Sequence, residues 1–537
     1  MVLKFKSISH VSICIFALLL LLHWGAFSHA ANYTYSVASP NQDRMPLLMP
    51  GDFEELHLVS WRVEEGEPDP HNPLVMPKYP WDSGGVMAHG TILRDPYDGL
   101  WKAWLISTPP ETTLEELDGI HEEERRLTYL ESEDGVHWDR PMLPYVSWPG
   151  YEKTNILLSH ESGGASTYAS VLLDSSNQEH PYEMFIMRGA HGGVEYKNPD
   201  KTSPLGKGEG IYRYRSKDGT DWTPVEGPLG NAPSDVLYVY QKTDGSYIGY
   251  YKTGIEPPDF ARVIPYDNNH SNTLRSVFYT ASPDGSNWGD VTLVMTADWR
   301  DPNHQQFMEI NPVQVPGGYI GFVTVYDAIT QVNYLQLAIS RDGIDWWTVA
   351  RRPTLPNPPL GDYGGGMIWQ VKNPIVQDDD LHVYYAGVQG LHGEIFDTRH
   401  EPRKEARGIT TIAKDTPTLP FNSALCRATW DFHRLYALVP SAGGPTRGVA
   451  VTTPQECAGK SLWVNANALY RGHLEVALLD SAGNEIPGYS REDCKTITGD
   501  HYELELEWRG GTTAPPDAQK VKFYLINAFL YGFEWRK

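Results

Sequence analysis

One short phrase, Ser-x-Asp-Gly-x-x-Trp, occurs four times in this chain of 537 residues. Its copies are SEDGVHW at 132–138, SKDGTDW at 216–222, SPDGSNW at 282–288 and SRDGIDW at 340–346. Each copy follows a run that is typical of a strand, and Asp-Gly is a strong signal for a tight hairpin turn. We therefore expect the phrase to form a packing turn at the edge of a repeated β-unit.

A further pair of strand-like runs precedes each copy, so each unit holds about four short strands. A fifth pair, NPIVQDDDLHVYYAG at 373–387, is followed by GITTIAKDTPTLPF at 408–421, a degenerate version of the phrase. The four serines lie 84, 66 and 58 residues apart, which suits propeller blades that bury their faces only against neighbouring blades. The sequence predicts an all-β fold with a five-bladed β-propeller over 31–415. Several sandwiches in a row are the competing fold, but the units are too short to close separate cores.

The last part of the chain has a different pattern. From about 416 to 537, alternating strands are separated by Gly, Asn and Asp turns and the repeated phrase is absent, which predicts a C-terminal β-sandwich domain. Cys426, Cys457 and Cys494 all lie here, and this odd number permits one disulfide plus a free thiol without indicating which cysteines pair.

The N-terminus has the pattern of an export signal. Two lysines in MVLKFK precede an apolar run that closes on SHA, so 1–30 is predicted to be a signal peptide. The alternative is an N-terminal membrane anchor, but the run is shorter than the ~20 apolar residues that a span needs. We expect a secreted or periplasmic protein that has no membrane association after cleavage.

The charge of the chain limits its partners. Lys and Arg number 44 against 68 Asp and Glu, and a net charge of −24 disfavours nucleic acid, whose phosphates need a basic face. The 17 tryptophans and 31 tyrosines suit sugars, because sugar C–H faces pack on rings and hydroxyls hydrogen-bond to carboxylates. A carbohydrate substrate is expected, and no organic cofactor or metal site is predicted, although a structural cation in the propeller funnel stays open. The oligomeric state is not predicted.

Four segments carry a resemblance to a known group. They are HNPLVMPKYPWDSGGVMAHGTILRDP at 71–96, SDVLYVYQKTDGSYIGYY at 234–251, GGGMIWQVKNPIVQDDDLHVYYAG at 364–387 and HLEVALLDSAGNEIPGYSREDC at 473–494. The chain resembles the five-bladed propeller glycoside hydrolases around families 32, 43 and 117, and most closely uncharacterised bacterial secreted proteins labelled family 32-like. It lacks the WMNDPNG of the sucrose-cleaving members, and the repeated phrase is not the sialidase box. Neither of those two activities is therefore expected.

The resemblance implies a secreted glycoside hydrolase that cleaves a plant or algal polysaccharide or oligosaccharide with a pair of carboxyl groups. By similarity, Asp82 would be the base or nucleophile, Asp235 would orient the substrate and Glu309 would be the acid. Each residue also has a structural interpretation: Asp82 could cap a turn, Asp235 could form an Asx-turn, and Glu309 could face solvent from a strand.

Six further residues are candidates for substrate binding: Trp81, His89, Asp301, Asp362, Trp369 and His392. The tryptophans could equally lie in the core, and Asp301 precedes a proline, which favours a turn. Insertions at 112–126 and 255–275 would close a deep funnel and favour attack from a chain end.

Two other functions stay open. A polysaccharide lyase on the same scaffold would need a His or Tyr base and a cation such as Arg262 or Lys252. A non-catalytic sugar-binding propeller is also compatible with the pattern, because one fold hosts many functions.

Overall fold

The structure, a computed structural model, describes most of the chain between residues 44 and 537. Its described ranges are 44–108, 126–158, 166–174, 177–188, 210–227, 229, 237–242, 244–255, 274–302, 304–392, 423–444 and 446–537. The predicted signal segment 1–30 and the degenerate phrase at 408–421 lie outside them. The described part contains 29 strands and short 3-10 helices at Pro50–Asp52 and Arg491–Asp493. No helix in those ranges is long and apolar enough to cross a membrane.

Three strands precede the first repeated unit: β1 (Phe53–His57), β2 (Val59–Val63) and β3 (Glu67–Pro68). The first sheet then has the order β4 (Gly85–Arg94), β5 (Trp101–Thr108), β6 (Arg126–Ser132) and β7 (Trp138–Asp139), with β8 (Ile156–Leu158) beside β6. The second sheet consists of β9 (Ser166–Leu173), β10 (Tyr182–Arg188), β11 (Gly210–Ser216) and β12 (Trp222–Glu226).

The third and fourth sheets repeat this antiparallel order. The third contains β13 (Leu237–Gln241), β14 (Tyr247–Ile255), β15 (Leu274–Ser282) and β16 (Thr292–Met295). The fourth contains β17 (Gln305–Val315), β18 (Gly318–Asp327), β19 (Asn333–Ser340) and β20 (Trp346–Thr348).

The fifth sheet closes the ring with strands from two distant parts of the chain. It contains β21 (Met367–Gln370), β22 (Ile375–Gln377), β23 (Asp380–Val388) and β24 (Ser423–Asp431), and the early strand β3 forms its outer edge. Each sheet packs against the next, and the fifth packs against the first through β21, β23 and β24 on β4. The predicted all-β, five-bladed propeller is therefore confirmed.

The repeated phrase forms the same turn in all four copies. In the first, the Gly135 amide donates to Ser132 Oγ at 2.9 Å, and Asp134 Oδ1 accepts from the next two amides, both at 2.8 Å. Gly135 has φ +76°, a conformation that favours glycine. The tryptophan indole of the first, third and fourth copies donates to the carbonyl of the phrase's own glycine. The predicted packing turn is thus a hydrogen-bonded unit.

Each phrase also docks onto the preceding blade. A Cβ on Gly135 would lie 2.6 Å from the hydroxyl oxygen of Tyr384 in the fifth sheet, and that hydroxyl donates to the Gly135 carbonyl at 2.8 Å. The Gly219 and Gly343 carbonyls likewise accept from Trp104 and Tyr250, whereas Gly285 packs on the Phe185 ring without such a bond. The repeat therefore joins neighbouring blades at four of the five junctions.

A seven-stranded antiparallel sheet follows the propeller. It contains β25 (Tyr436–Pro440), β26 (Gly448–Thr452), β27 (Ser461–Leu479), β28 (Gly499–Glu505) and β29 (Lys520–Arg536), together with β1 and β2 from the start of the described chain. This arrangement differs from the predicted division at 415/416 in two ways. The segment 423–431 belongs to the fifth blade, and 53–63 belongs to the C-terminal sheet. The β-sandwich itself stays a prediction.

The C-terminal sheet shares a core with the propeller. Phe322 and Leu381 of the fourth and fifth blades belong to the same buried cluster as Leu438 and Phe523 of the C-terminal sheet. Cys426, Cys457 and Cys494 are all buried and free, so the single disulfide that the sequence permits is not formed. Packing, without a covalent link, holds this region together.

Candidate active site on the propeller axis

One side chain from each of the five inner strands meets at the centre of the ring. They are His89 of β4, Tyr168 of β9, Tyr238 of β13, Glu309 of β17 and Trp369 of β21, and we call them the axial cluster. The His89 ring centroid lies 4.7 Å from Tyr168 and 4.9 Å from Trp369, and its Nδ1 lies 3.6 Å from Glu309 Oε2. The fold thus brings residues that are up to 280 positions apart in the sequence into contact.

Irregular backbone positions three of these side chains. The β4–β5 register shifts between Met87 and Thr91, and His89 inside that bulge has φ +60°. The β9–β10 register shifts at Tyr168, which has φ +57°, and the β17–β18 register shifts just before Glu309. Bulges re-aim side chains and occur next to active sites, and strained backbone persists where the surroundings hold it. Three bulges at one point therefore mark the axis as a candidate site.

Glu309 is a buried carboxylate with a full set of donors. Its Oε1 accepts from Thr324 Oγ1 at 2.7 Å and from the Gln370 amide at 3.0 Å, and its Oε2 accepts from the Tyr238 hydroxyl at 2.8 Å. Burial raises the pKa of Glu309, but these hydrogen bonds and the imidazole of His89 outweigh it and hold the pKa below its usual range. A general acid needs a raised pKa, so this geometry disfavours the acid role that the sequence suggested for Glu309.

His89 is the titratable group best placed for proton transfer. Its side chain is almost buried, and its Nδ1 faces the Glu309 carboxylate without a shorter hydrogen bond. A carboxylate beside Nδ1 favours the tautomer that carries its proton there, which leaves Nε2 to exchange a proton with a ligand. Glu309 therefore lies where its carboxylate can orient the His89 ring.

Trp369 provides a buried donor that lacks a partner. Its indole Nε1 is shielded from solvent and makes no hydrogen bond. A buried polar group left unpaired costs about 1 to 3 kcal/mol, and such groups are rare unless a ligand or water completes them. The placement of this indole against His89 suits a hydroxyl-bearing ligand.

A second group of side chains continues from Trp369 towards the fourth blade. His392 lies 6.4 Å from Trp369 and 4.7 Å from Tyr326, measured between ring centroids. The Arg275 guanidinium lies 5.1 Å from the Tyr326 ring centroid, and its NH1 donates to Gln306 Oε1 at 2.7 Å. The Arg275 guanidinium is thus separated from Trp369 by two intervening side chains, Tyr326 and His392.

Protein atoms fill the axis on the other side of Glu309. The Tyr240 hydroxyl donates to Asn311 Oδ1 at 2.6 Å, and Asn311 Nδ2 donates to the Val371 carbonyl at 3.2 Å. Lys372 is completely buried next to them, with Nζ 4.8 Å from the Tyr240 ring centroid, and burial lowers its pKa well below the usual range. A ligand of the axial cluster must therefore enter from the end at which the inner strands begin.

Asp82 and Trp81 lie away from this cluster. Asp82 Oδ1 accepts from the amides of Lys78 and Tyr79 at 2.8 and 2.6 Å, and its Oδ2 pairs with Arg140 at 3.1 Å. Trp81 is fully buried, stacks on Tyr79 and donates to Asn155 Oδ1 at 2.8 Å. Both residues lie in the loop before β4. The contacts of Asp82 match the turn-capping interpretation, and those of Trp81 match the core interpretation.

Two other predicted residues are also turn residues. Asp301 Oδ2 accepts from the Asp298 amide at 2.9 Å, and its carboxylate pairs with Arg351 at the outer side of the fourth blade. Asp362 is exposed, and its carbonyl accepts from the Gly365 amide at 2.9 Å. Asp235 lies outside the described residues, as does Arg262. The described part of the chain places one carboxylate, Glu309, in the axial cluster.

Sequence reasoning identified Glu309, His89, Trp369 and His392, and it missed Tyr168, Tyr238 and Arg275. Tyr238 had a signal, since it is the second residue of β13 and alternates with Tyr240. Tyr168 had none, because its orientation depends on a bulge. Within the described ranges, no group of three or more His, Cys, Asp or Glu side chains could hold a metal ion.

Comparison with known proteins gives a fold likeness. No protein-family model matches this chain, and no curated protein matches it. The chain is similar to solved structures of glycoside hydrolases and phosphorylases. A β-1,2-mannobiose phosphorylase from Listeria innocua is 12% identical with a TM-score of 0.43, and the match covers 69% of this chain and 99% of the other. A family 43 arabinoxylan arabinofuranohydrolase from Bacillus subtilis is 13% identical with a TM-score of 0.37, covering 87% and 97%. A glycoside hydrolase is 12% identical with a TM-score of 0.41, covering 69% and 92%.

Proposed function

We propose that this chain is an exported glycosidase that cleaves a glycosidic bond at the axial cluster, with His89 as the proton-transfer group. The observation that carries the proposal is the His89–Glu309 pair at 3.6 Å, buried between the rings of Tyr168 and Trp369. A positioned imidazole can protonate a leaving oxygen or activate a water, which accelerates such steps by roughly 10² to 10⁴. The aromatic rings would pack against the C–H faces of the sugar.

The common glycosidase routes need a second carboxyl group. Asp235 is the candidate, because it precedes Tyr238 by three residues in the sequence and Tyr238 donates to Glu309. In this proposal Asp235 attacks the sugar or activates water, and His89, protonated on both ring nitrogens beside the Glu309 carboxylate, donates its Nε2 proton to the leaving oxygen. Asp82 takes no part, since both of its oxygens already have partners.

The substrate would be the end of a plant or algal glycan chain. The axis beyond Glu309 is filled by Asn311, Tyr240 and Lys372, so a chain cannot thread through the ring. A site that is closed at this end would suit removal of terminal units.

A lyase is the second candidate, and Arg275 favours it. Its guanidinium lies within the group that connects through Tyr326 and His392 to the axial cluster. A lyase would use such a cation to neutralise a uronate carboxylate while His89 removes the neighbouring proton.

A panel of neutral and uronate-containing polysaccharides tests both candidates. We expect the purified protein to release reducing ends without the ultraviolet absorbance of unsaturated uronates. Unsaturated products would reject the glycosidase in favour of the lyase. Absence of any product across the panel would contradict both and favour a non-catalytic binding protein.

Asp235→Asn tests the second carboxyl group. We expect turnover to fall by at least roughly 10², with the melting temperature unchanged, because the substitution removes only the charge. Asp244→Asn is the matched control, since Asp244 is an exposed residue of the β13–β14 hairpin turn in the same blade. Equal activity of the two variants would remove Asp235 from the mechanism.

A further inference from the structure

A groove on the outer side of the propeller lies between the third and fourth blades, away from the axis. Its volume is about 270 Å³, and its lining includes Met295 and Leu293 of β16, Phe307 of β17, Trp346 of β20, and Asp298 and Arg351. Small-molecule sites usually occupy about 300 to 1,000 Å³, so the groove fits one part of a longer ligand.

Trp299 lies in the chain between Asp298 and Arg300, which both line this groove, and 80% of its own surface is exposed. It is the most exposed of the large apolar side chains in the described part of the chain. Burying a tryptophan side chain stabilises most proteins by several kcal/mol, so a ring that stays in water is available to pack against a ligand. The exposed ring is therefore a candidate contact surface.

The turn that carries Trp299 is rigid. The Asp301 amide donates to the Asp298 carbonyl at 2.9 Å, the Asp298 amide donates to Asp301 Oδ2 at 2.9 Å, and the Arg300 amide donates to Asp298 Oδ1 at 2.8 Å. Arg351 pairs with both Asp298 and Asp301 and ties the turn to the fourth blade. Because the backbone is already ordered, a ligand that stacks on the indole loses little entropy of the protein.

The charges around the ring select the type of ligand. Asp298 and Asp301 are balanced by Arg300 and Arg351, so the surface offers no net charge to an ionic partner. The net charge of −24 opposes polyanions. The apolar centre of a protein interface is depleted of charged residues, whereas here charged residues flank the indole on both sides. A flat apolar ring among carboxylates and guanidiniums instead matches a polyhydroxylated, uncharged ligand.

We infer that Trp299 and the adjoining groove form a second glycan-binding site, which holds a neutral polysaccharide chain at a distance from the axial cluster. The site binds without cleaving. It would keep the protein on a polymer while the axial cluster acts on a chain end, but its binding does not depend on that activity.

Affinity electrophoresis tests the inference independently of turnover. The gels contain arabinoxylan, arabinan, mannan or mixed-linkage β-glucan, and every protein carries His89→Ala so that the axial cluster does not cleave the polymer. We expect one or more of these polymers to retard the protein. Trp299→Ala should weaken the apparent affinity at least about tenfold, as for truncation of an aromatic hot spot, and Trp299→Phe should restore part of it. Tyr97→Ala is the matched control, because Tyr97 is a 51% exposed aromatic residue on the first blade.

The inference is overturned if Trp299→Ala migrates like its parent, if Tyr97→Ala weakens binding equally, or if none of the four polymers retards the parent. Melting temperatures are measured for all variants. Because Trp299 packs little against the protein, we expect them to be unchanged. A protein ligand that binds through Trp299 while the gels show no shift would also overturn it.

Discussion

The two ends of each blade are built in different ways. The repeated turns lie where the inner strands finish, and their serine, aspartate and glycine groups have hydrogen-bond partners in all four copies. The axial cluster lies in the first halves of β4, β9, β13 and β17 and near the end of the short β21, with backbone bulges at His89 and Tyr168 and with Trp369 Nε1 lacking a partner. The turn phrase repeats because neighbouring blades pack against each other in the same way. The residues of the axial cluster do not repeat, since five different side chains meet at one point.

This difference separates stability from function. Changes in the turns should lower the free energy of unfolding and leave chemistry unaffected, whereas changes at the axis should do the reverse.

His89→Ala should reduce turnover by roughly 10² to 10⁴, because it removes the proton-transfer group. Rates are measured on the polysaccharide that the native protein cleaves. The matched control is His382→Ala, since His382 is also a buried histidine but bonds to Thr429 Oγ1 at 2.9 Å in the fifth blade. We expect His382→Ala to lower the melting temperature and retain turnover. If His382→Ala lost as much activity as His89→Ala, the division between the two ends would fail.

Gly135→Ala should destabilise the protein by about 2 to 4 kcal/mol, because a side chain there adopts a left-handed conformation and collides with the Tyr384 hydroxyl. Gly99→Ala is the comparison, since Gly99 has φ +79° but no atom within 4 Å of an added Cβ. Its cost should be about 1 to 2 kcal/mol. Urea denaturation gives both values. Equal values would show that docking between blades contributes nothing at this junction.

Acid should weaken the turns selectively. Burial raises the pKa of Asp218, but hydrogen bonds from the Asp221 and Thr220 amides outweigh it and lower the pKa. A carboxylate whose pKa is lower in the folded protein than in the unfolded chain stabilises the fold at pH values above its unfolded pKa of about 3.9. This stabilisation is lost as the pH falls through the pKa of the folded protein. Asp218→Asn keeps an acceptor but cannot titrate, so its stability should change less than that of the native protein below about pH 4. Unfolding in urea between pH 7 and pH 3 measures this, and parallel curves would contradict it.

The smallest effect concerns the phrase's tryptophan. The Trp346 indole donates to the Gly343 carbonyl at 2.9 Å, whereas the Trp222 indole has no partner. Trp346→Phe should therefore cost about 1 kcal/mol more than Trp222→Phe, which is the value of one hydrogen bond. The comparison uses urea denaturation at pH 7. A larger loss for Trp222→Phe would indicate that ring packing dominates in every copy.

The sequence predicted the propeller because its signals are local. The turn phrase and the hairpins before it need no knowledge of distant residues, and four of the five blades follow from them. Closure of the fifth blade by β3 could not be predicted, because Glu67–Pro68 is too short to have a strand pattern and its partner, β24, lies about 360 residues later.

The site was partly predictable for the same reason. His89 and Glu309 lie in strands whose ends the turns define, so their place near the axis followed from the fold. Asp82 was expected to be catalytic by resemblance, yet its bonds to the Lys78 and Tyr79 amides are local and leave no distinguishing mark in the sequence. The bulges at His89 and Tyr168 depend on contacts between blades, which a single sequence does not reveal.

A crystal structure of the His89→Ala protein with an oligosaccharide from the polysaccharide that the native protein cleaves tests directly whether the axial cluster binds the bond to be cleaved. We expect a sugar ring between Tyr168 and Trp369, with a sugar hydroxyl that accepts from Trp369 Nε1. The glycosidic bond to be cleaved should lie at the space left by the imidazole. Sugar density elsewhere, with this space occupied by protein or water alone, would contradict it.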